Sequence, residues 1–222
     1  MDNKPKMYKA VIFDLDGTLL DTLTDLTAAG NAALEREGLS SYPTEAYRYF
    51  VGNGIPKLIE RITTGQESKR EAVHAAFLAY YRQHMRDATQ PYPGIPAMLD
   101  ALRADGLRLG VVSNKDEAAV QQLVRDYFGD GFQAVAGRRE GIPPKPDPTL
   151  LKEAMTRLGV SARETVYVGD SGVDMETAAA AGVFSCGVLW GFRTGEELRA
   201  AGAGRLIRHP RELTEFVRQA EN

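Results

Sequence analysis

The chain has 222 residues, 43% of them hydrophobic and 26% charged, enough for one large domain, or a main domain with a smaller companion, around a substantial core. A net charge of −3 argues against nucleic-acid binding, which needs clustered positive charge, so a small anionic ligand would be drawn in by local charges only. The longest uncharged stretch, Thr177–Phe192, falls short of the roughly 18 apolar residues of a spanning helix, and the single cysteine, Cys186, has no internal disulfide partner; a soluble, cytoplasmic protein without membrane contact is expected.

The first ten residues, MDNKPKMYKA, are polar and lack the shape of a signal peptide. Tyr8–Leu15 then reads as a first strand, apolar nearly throughout, as a strand covered on both faces should be. From Thr22 to Tyr92 the pattern is helical without a clear strand and includes Leu58–Ile62 and Ala72–Met85. This stretch is far too long for one crossover helix, and it ends in the stiff run Pro91-Tyr92-Pro93-Gly94. It is expected to be a helical cap, 22–92, inserted into a core made of 1–21 and 93–222.

Beyond the cap, strands alternate with helices. Ile95, Met98, Leu99 and Leu102 share the spacing of one helical face, as do Val120, Leu123, Val124 and Tyr127, and Leu151, Ala154, Met155 and Leu158. Asp147-Pro148 opens the last of these, with Asp147 expected at the N-cap and Pro148 at the first helical position. Leu107–Ser113, Gln133–Ala136, Thr165–Gly169 and Val183–Leu189 are the second to fifth strands. The alternation predicts an α/β fold, a Rossmann-like parallel sheet with helices on both faces.

In such a sheet, ligands bind at the carboxyl ends of the strands. Here those ends carry Asp14-Leu15-Asp16-Gly17-Thr18, then Ser113-Asn114, then a loop with Lys145, then Gly169-Asp170-Ser171-Gly172-Val173-Asp174. Carboxylates brought to one point repel, and a divalent cation is the natural way to hold them; all-oxygen ligation suits Mg²⁺. Lys145 and the cation would neutralise a phosphoryl group in transfer, and Ser113 and Asn114 would offer it neutral donors. Asp14 can attack phosphorus, and Asp16 can serve as general acid and then base, with Gly17 turning the chain between them and Thr18. Taken singly, each residue has a structural explanation, such as helix capping for Asp170 or a first-turn acidic position for Asp174. Their order at four successive strand ends is what points to a site.

These four motifs resemble those of the haloacid dehalogenase superfamily, and the resemblance spans nearly the whole chain. It implies Asp14 as nucleophile, Asp16 as acid and base, and Thr18 as a residue that helps position Asp16. It also implies Mg²⁺ held by Asp14, the main-chain carbonyl of Asp16 and Asp170, with Asp174 in support. Within the superfamily the stretch from Val51 through Gly52, Asn53 and Gly54 to Leu58, and the run Gly187–Thr194, look like the phosphoglycolate phosphatase group. That likeness implies a small phosphorylated metabolite as substrate, 2-phosphoglycolate foremost, in a monomer or homodimer, with Gly52, Asn53 and Gly54 near a bound anion. A sugar-phosphate mutase, a pyrophosphatase or nucleotidase on the same scaffold, and a receiver-like phosphate-binding regulator remain alternatives. Arg193 is expected to meet either a substrate carboxylate or Glu196, while His74, His84 and His209 have no metal-ligand spacing.

Overall fold

The computed structural model describes residues 8–219; the outer ends of the expected core, 1–7 and 220–222, lie outside the described residues. Six parallel strands form the main sheet: β1 (Ala10–Phe13), β4 (Arg108–Asp116), β5 (Ala134–Arg138), β6 (Thr165–Gly169), β7 (Phe184–Val188) and β8 (Arg205–Ile207). Across the sheet they run β5-β4-β1-β6-β7-β8. The chain therefore winds outward from β1 first to one side and then to the other. The order reverses between β1 and β6, where a doubly wound sheet opens a ligand crevice.

Side chains alternate along β1. Ala10 and Ile12 pack with α7 (Thr149–Leu158) and α8 (Gly172–Ala181) on one face. Val11 and Phe13 pack on the other face with α5 (Ile95–Ala104), α6 (Glu117–Phe128) and α10 (Arg211–Gln219). Burying each large side chain of this kind contributes about 1.5–3 kcal/mol. The periodic positions read from the sequence face inward: Ile95, Met98, Leu99 and Leu102 are buried, as are Leu151, Ala154, Met155 and Leu158.

Between β1 and β4 the chain makes four helices, α1 (Leu23–Arg36), α2 (Thr44–Phe50), α3 (Ile55–Ile62) and α4 (Arg70–His84). Their apolar faces join the same core as the sheet through Leu26, Leu58, Phe77 and Tyr81. Entry to and exit from this insert are tied by a short antiparallel pair, β2 (Leu20–Asp21) against β3 (Gln90–Pro91). That pair and the edge strand β8 are not anticipated by the sequence, because two or three residues are too few to show a period. α7 begins at Thr149 with Pro148 as its N-cap, one residue later than expected, and Asp147 instead accepts the Thr149 N–H at 2.9 Å. Among the described residues, no helix is long and apolar enough to cross a membrane.

Candidate active site

The loop after β1 is a tight one. Leu19 and Leu20 both donate to the Leu15 carbonyl, and Gly17 donates to Leu20 at 2.9 Å. Gly17 has φ +80°, and a Cβ there would stand 2.3 Å from the Asp170 carboxylate. The loop after β6 thus packs directly on the loop after β1, and only glycine permits it.

This approach brings Asp14, Asp170 and Asp174 together, with one oxygen of each within 4.8 Å of the others. All three are buried. Lys145 lies against them, its Nζ 3.0 Å from Asp14 Oδ1 and 2.7 Å from Asp174 Oδ1. It also donates to the Tyr167 hydroxyl at 3.0 Å and the Val112 carbonyl at 3.2 Å. Asp174 is fixed at its other end, where Oδ2 accepts from the Ser171 N–H at 3.1 Å and from Ser171 Oγ at 2.7 Å. Asp170 accepts from Thr18 Oγ1 at 3.3 Å and from the Phe192 N–H at 2.8 Å. The Leu15 N–H donates to Asp14 at 2.7 Å, and that bond and the Lys145 contact both fall on Oδ1.

Burial raises the Asp14 carboxyl to about 7; Lys145 offsets part of this, while Asp174 and Asp16 add to it. Burial also lifts Asp170 to about 8, with the negative charges of Asp174 and Asp14 adding to the effect. Burial works against the charge of Lys145, but Asp14 and Asp174 outweigh it and hold the ammonium well above its usual range. One cation among three clustered carboxylates leaves negative charge unbalanced. The donor set is all oxygen, without His or Cys, and it fits a hard divalent ion.

Several predicted residues take other partners. The Asp16 carboxylate is not in the cluster: both its oxygens face Lys115, with Nζ at 2.9 and 3.0 Å. Thr18 donates to Asp170 rather than supporting Asp16. Asn114, expected near the phosphate, lines the cavity over Asp14 and Asp16, and its amide donates to the Gly52 and Lys145 carbonyls at 3.3 and 3.2 Å and accepts the Lys145 N–H at 2.8 Å. Ser113, Gly52 and Gly54 also line the cavity over Asp14 and Asp16. Asn53 is engaged by Arg61 at 2.9 Å and borders a neighbouring cavity. Arg193 is not paired with Glu196: its guanidinium donates to the carbonyls of Arg48 and, at 3.0 Å, of Val51, and it lines the cavity that Asn53 borders. Arg48 donates back to the Gly191 carbonyl at 3.3 Å, so two arginines lash the helical insert to the sheet.

Lys115 and Tyr167 were not singled out from the sequence. Lys115 stands two residues after Ser113 in β4, in the stretch where its pairing with β5 is irregular, and both line the cavity over Asp14. Tyr167 is a hydroxyl in the middle of an otherwise apolar strand, fully buried, which obliges it to find partners.

A haloacid dehalogenase-like hydrolase profile matches residues 11–188, a span that holds all four strand-end motifs. The chain belongs to that family. The phosphoglycolate phosphatase of Neisseria meningitidis is 37% identical over 191 residues, covering 83% of this chain and 81% of its own. That of Nitrosospira multiformis is 35% identical over 228 residues, covering 97% and 98%. A crystal structure from Lactobacillus delbrueckii subsp. bulgaricus, described as a candidate phosphoglycolate phosphatase, superposes with a TM-score of 0.90 at 34% identity, covering 95% of this chain and 98% of that one. The α/β core and the phosphatase assignment thus rest on relatives that span nearly the whole chain.

Proposed function

We propose that this phosphatase hydrolyses a small phosphomonoester, 2-phosphoglycolate foremost, through a phosphorylated Asp14, with Mg²⁺ as its metal. The observation that carries the reading is the convergence of Asp14, Asp170 and Asp174 with Lys145 in one buried cluster at the switch point of the sheet. Asp14, Asp170 and the Asp16 main-chain carbonyl would hold the ion, with Asp174 in support. When bound, the ion supplies positive charge to offset the transferring phosphoryl oxygens.

The rest belongs to the chain's own groups. Leu15 N–H and Lys145 hold Asp14 by Oδ1, so the second oxygen is left to attack phosphorus. Lys145 also balances charge on the phosphoryl oxygens, and Ser113 lines the space beside them. Asp16, held apart from the cluster by Lys115, gives a proton to the departing ester oxygen and then takes one from the attacking water. Residues 22–92 act as a cap over a core formed by 1–21 and 93–222. The cavity beneath the cap measures about 30 Å³, room for a water or two, so substrate entry requires the cap to lift and its closure excludes bulk water. Asn114 and the Arg48–Arg193 pair hold the closed form. A reducing cytoplasm is part of the same reading, in keeping with Cys186 as a free thiol.

The experiment is a panel of phosphomonoesters assayed with Mg²⁺, on the native protein and on Asp14→Asn. Phosphate release from 2-phosphoglycolate, lost in a folded Asp14→Asn protein, is the expected result. A folded variant that still turned over normally would remove Asp14 from its role. A requirement for a bisphosphate would replace hydrolysis with a mutase.

A further inference from the structure

The substrate reading leaves open what distinguishes a phosphorylated acid from any other small phosphate ester. Among the described residues lining the cavity over Asp14 and Asp16, Lys115 is the one cation. Lys145 is committed to Asp14, Asp174, Tyr167 and the Val112 carbonyl. Arg48, Arg61 and Arg193 do not line this cavity, and their guanidiniums donate to main-chain carbonyls and Asn53.

Lys115 is only 5% exposed, and an ammonium carries three donors. Two go to the oxygens of Asp16. The third is turned to the Tyr81 side chain, whose oxygen can accept it. The Tyr81 ring centroid is 4.9 Å from Nζ, and the buried hydroxyl has no acceptor for its own proton. Burial keeps that phenol protonated, pushing it up to about 12 although Lys115 works the other way, so it remains a donor. A buried hydroxyl whose proton has no acceptor is costly, and an anionic oxygen beside the ammonium would satisfy it and meet the positive charge.

The position of these donors specifies the ligand. A proton passing from Asp16 to the ester oxygen requires an approach of about 2.6–3 Å. When a carboxylate is attached to the adjoining carbon, its carbon lies two bonds, about 2.4 Å, from that ester oxygen. Lys115 Nζ is itself 2.9 Å from Asp16. A carboxylate one carbon from the ester therefore falls within reach of Lys115. Leu26, Ile55 and Leu58, which also line the cavity, offer a charged oxygen no donor.

We propose that Lys115, assisted by the Tyr81 hydroxyl, is the specificity residue of this enzyme and binds a carboxylate on the carbon next to the phosphate ester. The assignment rests on the proposed role of Asp16 and on a 2-phosphorylated acid as substrate.

The test compares 2-phosphoglycolate with 2-hydroxyethyl phosphate, an equally short alkyl ester without the carboxylate, on the native enzyme, Lys115→Met, Lys115→Arg and Tyr81→Phe. Because both leaving groups are alkyl alcohols, any loss of Asp16 positioning lowers both rates alike and cancels in the ratio of kcat/KM values. Lys115→Met should reduce that ratio by about 10- to 100-fold, the effect of losing a hydrogen bond to a charged group. Tyr81→Phe should reduce it less, and Lys115→Arg should restore part of it. A native preference for 2-phosphoglycolate that survives Lys115→Met, with both rates falling together, overturns the assignment of Lys115 alone. A native enzyme that cleaves both esters equally well overturns the substrate reading, whatever the variants do. Circular dichroism on each variant separates either outcome from a failure to fold.

Discussion

Adding Mg²⁺ to the metal-free protein should raise its melting temperature, and the rise should grow with pH. Burial and crowding hold Asp14 at about 7 and Asp170 at about 8, whereas in the unfolded chain both ionise near 3.8. Between pH 4 and 8, approximately, the native metal-free state therefore binds more protons than the unfolded state. Its stability falls as pH rises through that window. A bound cation needs the ionised carboxylates and must displace those protons. If about one proton leaves per ion, the stabilisation grows by about 1.4 kcal/mol for each pH step between 6 and 8. With Mg²⁺ at roughly 100 times its dissociation constant at pH 8, the total there is about 2.7 kcal/mol. For a chain of this size that is roughly 5–11 °C at pH 8, about half as much at pH 7 and little at pH 6. Thermal melts in chelator and in Mg²⁺, at the three pH values, read this directly. No shift, or the same shift at pH 6 and pH 8, would refute the argument that the clustered carboxylates are the ion's seat.

Asp16→Asn should retain substrate binding and slow turnover by about 10²- to 10⁴-fold, measured as kcat against KM, because the proton donor is lost while the cluster stays intact. Arg193→Ala removes hydrogen bonds that tie the Arg48 and Val51 carbonyls to the sheet, so KM should rise roughly 3- to 10-fold with a smaller change in kcat. Gly169→Ala places a Cβ 2.3 Å from the Asp174 Cβ and Cγ. It should cost about 1–3 kcal/mol in denaturant unfolding and weaken Mg²⁺ binding measured by titration, and an unchanged Mg²⁺ affinity would show that Asp174 has room to spare.

The parallel core and its helical faces were legible because buried strands leave apolar runs and amphipathic helices leave a repeat. Both signals are local, and both survive in Leu107–Ser113 and in the Ile95–Leu102 face. Elements of two or three residues such as β2, β3 and β8 carry no period and are made only by pairing with a distant neighbour. Arg193 shows a different limit. Its nearest acidic residue in sequence is Glu196, but the turn it occupies faces the insert, and it bonds carbonyls more than a hundred positions away.

The sequence by itself determined that Asp14, Asp16, Ser113, Lys145, Asp170 and Asp174 would gather at one edge, because parallel strands deliver every carboxyl end to the same side of the sheet. Only the tertiary structure decided who bonds to whom within that edge. Asp16 turns to Lys115, Thr18 serves Asp170, and Asn114 bridges the insert to the Lys145 loop. Those choices depend on differences of an ångström or less in how separate loops approach, set here by bare glycines at 17 and 191 packed on Asp170 and by the cover of Tyr81 over Lys115. Hydrogen-bond energy falls steeply over such distances, and no linear pattern records them.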